Sequence, residues 1–146
     1  MPEVIVGVDG SDHSRRALEW AVGEAAVHHA PLTVLTATQP VTGHWGGPMV
    51  YLGGRAPTEQ ARKETQEQTD RALEKAGPGS RPPSVAVLVV VGPPAEALLK
   101  AAAEADMLVV GARGSGGFKR LLMGSVSTQV SHHARCPVVI VPDENV

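Results

Sequence analysis

The sequence predicts an α/β fold: a single open five-stranded parallel sheet in the strand order 3-2-1-4-5, with helices on both faces. Short runs of β-branched residues recur along the chain and are continuous rather than alternating, which is typical of strands buried on both faces. Stretches with helical spacing separate these runs, and a regular β-α alternation favours right-handed crossovers within one sheet. Because the chain has 146 residues, we expect one domain over residues 1–146.

The first half of the chain contains two predicted strands and two helices. Residues 4–8 form the first strand, and a helix begins after Ser11, a favoured N-cap residue. Residues 32–36 form the second strand, and the unusually long connection at residues 39–57 is either a functional flap or an excursion. Residues 57–77 form a helix that starts with proline, stops at glycine and has a mostly polar surface, so it should lie on the outside. The apolar stripe of the first helix consists of Leu18, Ala21, Val22 and Ala25.

The second half adds three strands and two helices. The strands are residues 85–91, 107–110 and 138–141, and the last of them should lie at an edge of the sheet. Residues 93–105 form a helix, and a short final helix spans residues 125–134. The apolar side of the first of these helices consists of Ala95, Leu98, Leu99 and Ala102, and that of the second of Val126 and Val130.

The charge balance argues against several classes of partner. The chain carries 13 basic and 15 acidic residues in a mixed distribution, with a net charge of −2, so we expect neither nucleic acid nor a membrane surface as a partner. The longest apolar run, at Val85–Val91, is far shorter than the roughly 20 residues of a membrane span. The first residues enter a strand without a signal segment, and the lone Cys136 suits a reducing compartment, so we expect a cytoplasmic protein.

Glycines, serines and cationic side chains are concentrated in the segment VGARGSGGFKRLLMGSVS, residues 110–127. Glycine lets backbone amides approach an anion, so a phosphate site is the first interpretation and a surface loop is the second. In open parallel sheets, ligands bind beyond the carboxyl ends of the strands, where the strand order reverses. Asp9, after the first strand, should therefore face this segment, and the helix beginning at Ser125 should aim its positive end there. Asp9 is alternatively an N-cap for the first helix.

Two common phosphate-binding motifs do not fit the sequence. A Walker loop requires G-x-x-x-x-G-K-S/T, and the glycines before Lys119 do not follow that frame. A dinucleotide fingerprint G-x-G-x-x-G should follow the first strand, which has only Gly7 and Gly10. The chain has two pairs of adjacent histidines, His28-His29 and His132-His133. Neighbouring side chains on a helix diverge by about 100°, so neither pair can easily bind one ion, and no metal ligands are predicted.

The glycine spacing that does occur is Gly111-x2-Gly114-x9-Gly124-Ser125. In this spacing, and in the opening segment VIVGVDGSDHSRRALEWA, the chain resembles the universal stress protein family, whose nucleotide-binding members carry G-x2-G-x9-G-S/T. The resemblance extends over nearly the whole chain and is weak only at residues 39–57. It implies an adenine nucleotide alpha hydrolase-like fold that binds ATP, with Mg2+ held mainly through the phosphates, and that forms a homodimer.

The resemblance also implies a role for each matching residue. Asp9 would lie near the ribose or near the metal and phosphates, and Ala37 would lie against the adenine. The family commonly has histidine and valine at the end of the second strand, where this chain has Thr36 and Ala37. The floor of the site would be Gly7 and Val8, the phosphate loop Gly111, Arg113, Gly114 and Ser115, and the phosphate turn Gly124, Ser125, Val126 and Ser127.

The predicted function is a binding module that holds ATP and changes its conformation or assembly with nucleotide occupancy in a stress response. Phosphoryl transfer needs a positioned base, metal ligands and a cation. Asp9 has no second acidic residue at a neighbouring strand end, so hydrolysis should be slow or absent. The alternatives are an adenylate-handling enzyme, by analogy of fold, and a stress-response dimer that binds no nucleotide. The homodimer should form through the apolar edge strand Val138–Val141, with Pro142 limiting the pairing.

Overall fold

The computed structural model describes residues 3–38, 57–112 and 124–142. The predicted site residues Arg113, Gly114 and Ser115 lie outside these ranges, as does the connection at residues 39–56. The strands are β1 (Val4–Gly7), β2 (Leu32–Thr38), β3 (Val85–Val91), β4 (Met107–Gly111) and β5 (Val138–Val141). The helices are α1 (Asp12–Val27), α2 (Pro57–Ala76), α3 (Pro94–Ala101) and α4 (Ser125–His133), with short 3-10 turns at Pro78–Ser80 and Ala102–Glu104.

The five strands form one parallel sheet in the order β3-β2-β1-β4-β5. At its centre, Val6 of β1 pairs with Val34 of β2 on one side and with Val109 of β4 on the other. The predicted fold class and strand order are therefore confirmed, and the order reverses between β1 and β4.

Helices α1 and α2 cover one face of the sheet. The predicted apolar stripe of α1 is fully buried there, against inward side chains of β1, β2 and β4 such as Val6, Val34 and Val109. Helix α2 contributes Ala72 as a buried apolar residue and leaves most of its surface exposed, as its polar sequence predicts. The α1 stripe carries most of the helical side of this core, because burial of apolar area is the main stabilising contribution.

Helices α3 and α4 cover the opposite face. Leu98 of α3 and Val130 of α4 are buried against Ile5, Leu35 and Leu108 of the sheet. Of the predicted apolar side of α3, Ala95, Leu98 and Ala102 are buried and Leu99 is only partly buried, while Ala97, which was not predicted, is buried as well. The helix also ends earlier than predicted, because its last residues continue as the 3-10 turn Ala102–Glu104.

The outer strands differ from the central ones in burial. The expectation that every apolar run is buried on both faces is wrong for β3, which lies at one edge of the sheet with Leu88 40% and Val91 56% exposed. Strand β5 lies at the other edge, as predicted. Among the residues that the structure describes, no helix combines the length and apolar character needed to cross a membrane.

Candidate functional site

The carboxyl ends of β1 and β4 lie side by side at the centre of the sheet. The last pair of their ladder is Val6 and Val109, so Val8 and Asp9 follow β1 at the edge of the sheet where Gly111 ends β4 and Ala112 follows it. Adjacent strands are about 4.8 Å apart, so the residues that follow β1 and β4 leave the sheet side by side. The crevice beyond these strand ends lies where the strand order reverses, which is the usual ligand position in such sheets.

The turn after β1 is closed by its own polar side chains. The Oδ1 atom of Asp9 accepts hydrogen bonds from the backbone N of Ser11 at 2.9 Å and from its Oγ at 2.5 Å. Ser11 is the N-cap of α1, as predicted, and its Oγ accepts from the backbone N of Ser14 at 3.2 Å. The alternative that Asp9 is itself the N-cap is therefore wrong. The exposed carboxylate of Asp9 instead orients Ser11, which is the N-cap.

Ser14 joins both ends of this turn. Its hydroxyl donates to the carbonyl of Ser11 at 3.0 Å and accepts from the backbone N of Asp9 at 3.2 Å. Gly10 has a φ of +85°, a left-handed conformation that favours glycine, so the turn depends on this residue type. The Asp9 carboxylate is consequently held in one position at the rim of the crevice.

The end of β4 lies in direct contact with the first turn of α1. A Cβ atom added at Gly111 would lie 2.9 Å from the backbone oxygen of His13 and 3.0 Å from its carbonyl carbon. Only glycine therefore allows this approach, because neither backbone can give way easily. A Cβ added at Gly7 would lie 2.8 Å from both terminal carbons of Leu98. Both glycines have a packing reason that holds without any ligand.

Helix α4 begins at the same place without a side-chain cap. Its N-cap is Gly124, whose backbone N donates to the carbonyl of Ala112 at 2.6 Å, and the carbonyl of Gly124 accepts from the backbone N of Thr128 at 3.0 Å. The amides of the next three residues have no partner within a helix by their position. The positive end of the α4 dipole and these amides can therefore hold an anion.

The three side chains of the first turn of α4 differ in environment. Ser125 is exposed, Val126 is partly buried and Ser127 is only 2% exposed. The Ser127 hydroxyl lies 3.0 Å from the carbonyl oxygen of Ala112 and 3.0 Å from that of Gly124. Of the two serines, Ser125 is therefore the one whose side chain is accessible to a ligand.

The residues predicted for the floor and the adenine side lie at the ends of β1 and β2. Val8 is buried in the core under α1 and α2, and its backbone N donates to the carbonyl oxygen of Leu35 at 2.9 Å. Ala37 is partly buried beside the core under α3 and α4, and Thr36 before it is buried. The backbone of Val8, rather than its side chain, is therefore the part that borders the crevice.

Sequence reasoning missed two residues that shape the site. Ser14 stands three residues after the N-cap Ser11, and a serine there can bond the carbonyl three residues earlier, as its hydroxyl does with Ser11, so this local pattern is the signal that could have found it. Ala112 takes part only through its backbone: its N donates to Val141 at 2.9 Å and its carbonyl accepts from Gly124. Its side chain carries no signal for that role.

The other candidate reactive groups lie away from the crevice or on the surface. Cys136 lies just before β5, at the opposite end of the strands, where burial raises the pKa of its thiol, a backbone hydrogen bond opposes the rise and Asp106 adds to it. The two histidine pairs are exposed at the ends of α1 and α4. Within residues 3–38, 57–112 and 124–142, no group of three or more His, Cys, Asp or Glu side chains is placed to hold a metal ion.

Comparison with known protein sequences identifies one family. The model of the universal stress protein family matches residues 1–142. A universal stress protein from Thermus aquaticus is 36% identical over 140 residues, which cover 94% of this chain and 96% of that protein. A universal stress protein from Mycolicibacterium smegmatis is 35% identical over 139 residues, but the chain spans only 47% of its length. The chain thus spans about half the length of the mycobacterial relatives that it matches.

Comparison with solved structures gives the same family. A universal stress protein crystallised in complex with cAMP has a TM-score of 0.67 and 32% identity, with 97% of this chain and 96% of that chain covered. The protein UspA from Lactobacillus plantarum has a TM-score of 0.72 and 24% identity over 96% of this chain and 97% of its own. The second likeness concerns the fold alone.

Proposed function

The chain belongs to the universal stress protein family, and from this premise we propose that it is an adenine-nucleotide-binding regulatory protein whose nucleotide occupancy alters its conformation or assembly. One observation carries the proposal. The start of α4, which has no side-chain cap, lies one hydrogen bond from the end of β4, and β4 pairs with β1, the strand that Asp9 follows. A nucleotide has the matching chemistry, because it joins an anionic phosphate to a sugar that donates hydrogen bonds.

The phosphates are proposed to bind at the start of α4. The backbone amides of Ser125, Val126 and Ser127 supply donors, the helix dipole adds a favourable field, and the exposed Ser125 hydroxyl supplies one further donor. The glycine motif continues through residues 113–115, and we propose that Arg113, Gly114 and Ser115 complete the phosphate cradle.

The nucleoside is proposed to lie toward β1 and β2. The Asp9 carboxylate accepts hydrogen bonds and repels phosphate oxygens, so it suits a ribose hydroxyl rather than the phosphate chain. Ala37 is small and partly buried and offers an apolar surface to adenine, with the backbone of Gly7 and Val8 as the floor. The relative crystallised with cAMP supports an adenine base.

Within this class we propose ATP as the nucleotide, with Mg2+ held mainly through its phosphates. Asp9 is already bonded to Ser11, and the next carboxylate, Asp12, lies 3.8 Å from Arg15. Such a site offers a metal few protein ligands, so the phosphates would supply most of them. Hydrolysis is proposed to be weak or absent, because it needs a positioned base besides the metal.

Calorimetric titration of Asp9→Asn with adenosine, AMP, cAMP and ATP tests the proposal. Asparagine keeps the oxygen that accepts from Ser11 but loses the charge, so the affinity for ribose-containing ligands should fall about tenfold, the weight of one charged hydrogen bond. The matched control is Asp12→Asn, which removes a charge from a 94% exposed side chain and should leave the affinity unchanged. Equal losses in both variants, or a wild-type chain that binds none of the four ligands, would contradict the proposal.

We propose that the assembly is a homodimer that pairs through β5, Val138–Val141, and that the protein acts in the cytoplasm. Strand β5 is an apolar strand at the edge of the sheet, and within the part of the chain that the structure describes it pairs with β4 alone, so its outer edge suits pairing with another chain. Arg16 of α1 donates to the carbonyl of Pro142 at 2.7 Å, which anchors the end of this strand to the helix that begins at the site. Nucleotide occupancy and assembly would thus act on connected elements.

A further inference from the structure

The hydroxyl of Ser127 is the only described side-chain group that bonds both ends of the segment 113–123. Its Oγ lies 3.0 Å from the carbonyl oxygen of Ala112, before the segment, and 3.0 Å from that of Gly124, after it. A serine hydroxyl has one proton to donate, and both of these neighbours are acceptors. The proton is therefore used within the protein.

We propose that Ser127 is a positioning residue: its hydroxyl clasps Ala112 to Gly124 and so aims the amides of α4 without touching the ligand. The clasp is a feature of the chain itself, and its consequence for nucleotide binding rests on the proposed function. This assignment separates Ser127 from Ser125, although both belong to the same turn of the glycine-serine motif.

Chemistry excludes a direct contact between the Ser127 hydroxyl and a phosphate in this arrangement. Phosphate oxygens at neutral pH accept hydrogen bonds, so a serine must donate to them. Ser127 would first have to release both carbonyls and expose a side chain that is 2% accessible. Ser125, which is exposed, can donate without such a change.

The clasp acts on the element that faces the crevice. Ala112 is fixed from the other side because its backbone N donates to Val141 at the end of β5. Its carbonyl receives both the Gly124 amide at 2.6 Å and the Ser127 hydroxyl. These two bonds hold the first turn of α4 against the end of β4, and the direction of the free amides follows from that contact.

The variant Ser127→Ala should fold, because it orphans neither carbonyl. The carbonyl of Ala112 keeps the Gly124 amide, and the carbonyl of Gly124 keeps the Thr128 amide at 3.0 Å. A matched control exists on the same helix: the Ser131 hydroxyl donates to the carbonyl of Thr128, three residues earlier, at 2.9 Å and on the surface. Ser131→Ala removes the same kind of bond and brings the same gain in helix propensity.

Hydrogen exchange without nucleotide and calorimetry with AMP and ATP test the clasp together. Ser127→Ala should speed exchange of the Gly124 amide about fivefold, the weight of one ordinary hydrogen bond, and should weaken AMP and ATP by similar factors. Ser125→Ala should weaken both nucleotides while leaving this exchange unchanged. Ser131→Ala should change neither quantity.

The two ways of failing are distinguishable. If Ser127→Ala weakens the nucleotides while Gly124 exchanges at the wild-type rate, the hydroxyl is a direct ligand and the clasp is overturned. If exchange accelerates but affinity is unchanged, the clasp does not position the site and the inference is equally overturned. A wild-type chain that binds neither nucleotide overturns the proposed function and the binding consequence, whereas the exchange rate of Gly124 still decides the clasp.

Discussion

Two helices, α1 and α4, begin near the carboxyl ends of the strands, and the backbone amides of their first turns have different surroundings. The start of α1 is closed by its own side chains, because Ser11 caps the Ser14 amide and Asp9 holds Ser11 in place. The start of α4 has glycine at its cap position and no side-chain cap. The difference teaches which helix end is structural and which is available to a ligand.

The two helix starts also differ in the acidic residues near them, and this difference again favours α4 as the place for an anion. Helix α1 has Asp12 in its first turn and Asp9 just before it, and both complement the positive end of the dipole. Helix α4 has no acidic residue in its first turn. An anion from outside the chain would therefore gain more at α4 than at α1.

The largest expected effect comes from forcing the start of α1 away from the end of β4, the strand from which the chain runs on towards α4. Gly111→Ala places a Cβ 2.9 Å from the backbone oxygen of His13, so α1 must move away from β4. We expect a loss of about 2 kcal/mol in the free energy of unfolding, measured by urea denaturation. Gly23→Ala is the control, because its Cβ meets nothing within 4 Å and should stabilise α1 by up to about 1 kcal/mol. An unchanged stability of Gly111→Ala would refute the contact.

A smaller effect should follow from giving α4 the kind of cap that α1 has. Gly124 has a φ of −76°, which any residue can adopt. In Gly124→Asp the new carboxylate caps the free amides and repels phosphate, so the affinity for AMP should fall about tenfold while stability without nucleotide rises slightly. Gly124→Asn, a neutral cap, should lose less affinity. If calorimetry finds the same AMP affinity for Gly124→Asp and wild type, the phosphate does not bind at the start of α4.

The smallest effect is expected from removing the side-chain cap at the start of α1. Ser11→Ala removes the acceptor of the Ser14 amide and should cost about 1 kcal/mol of stability in thermal unfolding. AMP affinity should change by less than about threefold, because one hydrogen bond at most is lost around Asp9. Ser11→Thr keeps the hydroxyl and should restore the stability. A loss of binding larger than the loss of stability would mean that α1 takes part in holding the phosphate.

Local patterns were sufficient for most of the fold. Strands β3 and β5 have the predicted bounds, and the N-cap of α1 is the predicted serine, because runs of β-branched residues and capping residues act over a few positions. The glycine spacing likewise indicated that Gly111 and Gly124 lie close together, and the backbone N of Gly124 donates to the carbonyl of Ala112, next to Gly111. The predictions at residues 113–115 stay predictions, since they lie outside the described residues.

Other features depend on neighbours that are distant in the chain. Leu88 belongs to an unbroken apolar run, yet it is exposed because β3 lies at an edge and lacks a neighbour on one side. Leu99 is less buried than Ala97, because the position of α3 over the sheet decides which side of the helix meets the core. Periodicity alone does not contain that rotation.

The amino-acid sequence by itself determined the five strands and the N-cap of α1, because runs of β-branched residues and capping residues act over a few positions. The tertiary structure alone decided that Ser125 is exposed while Ser127 is buried, with its one hydroxyl proton between the carbonyls of Ala112 and Gly124. The physical reason is that a hydroxyl has a single proton, and which acceptors lie within its reach depends on the packing of α4 against β4.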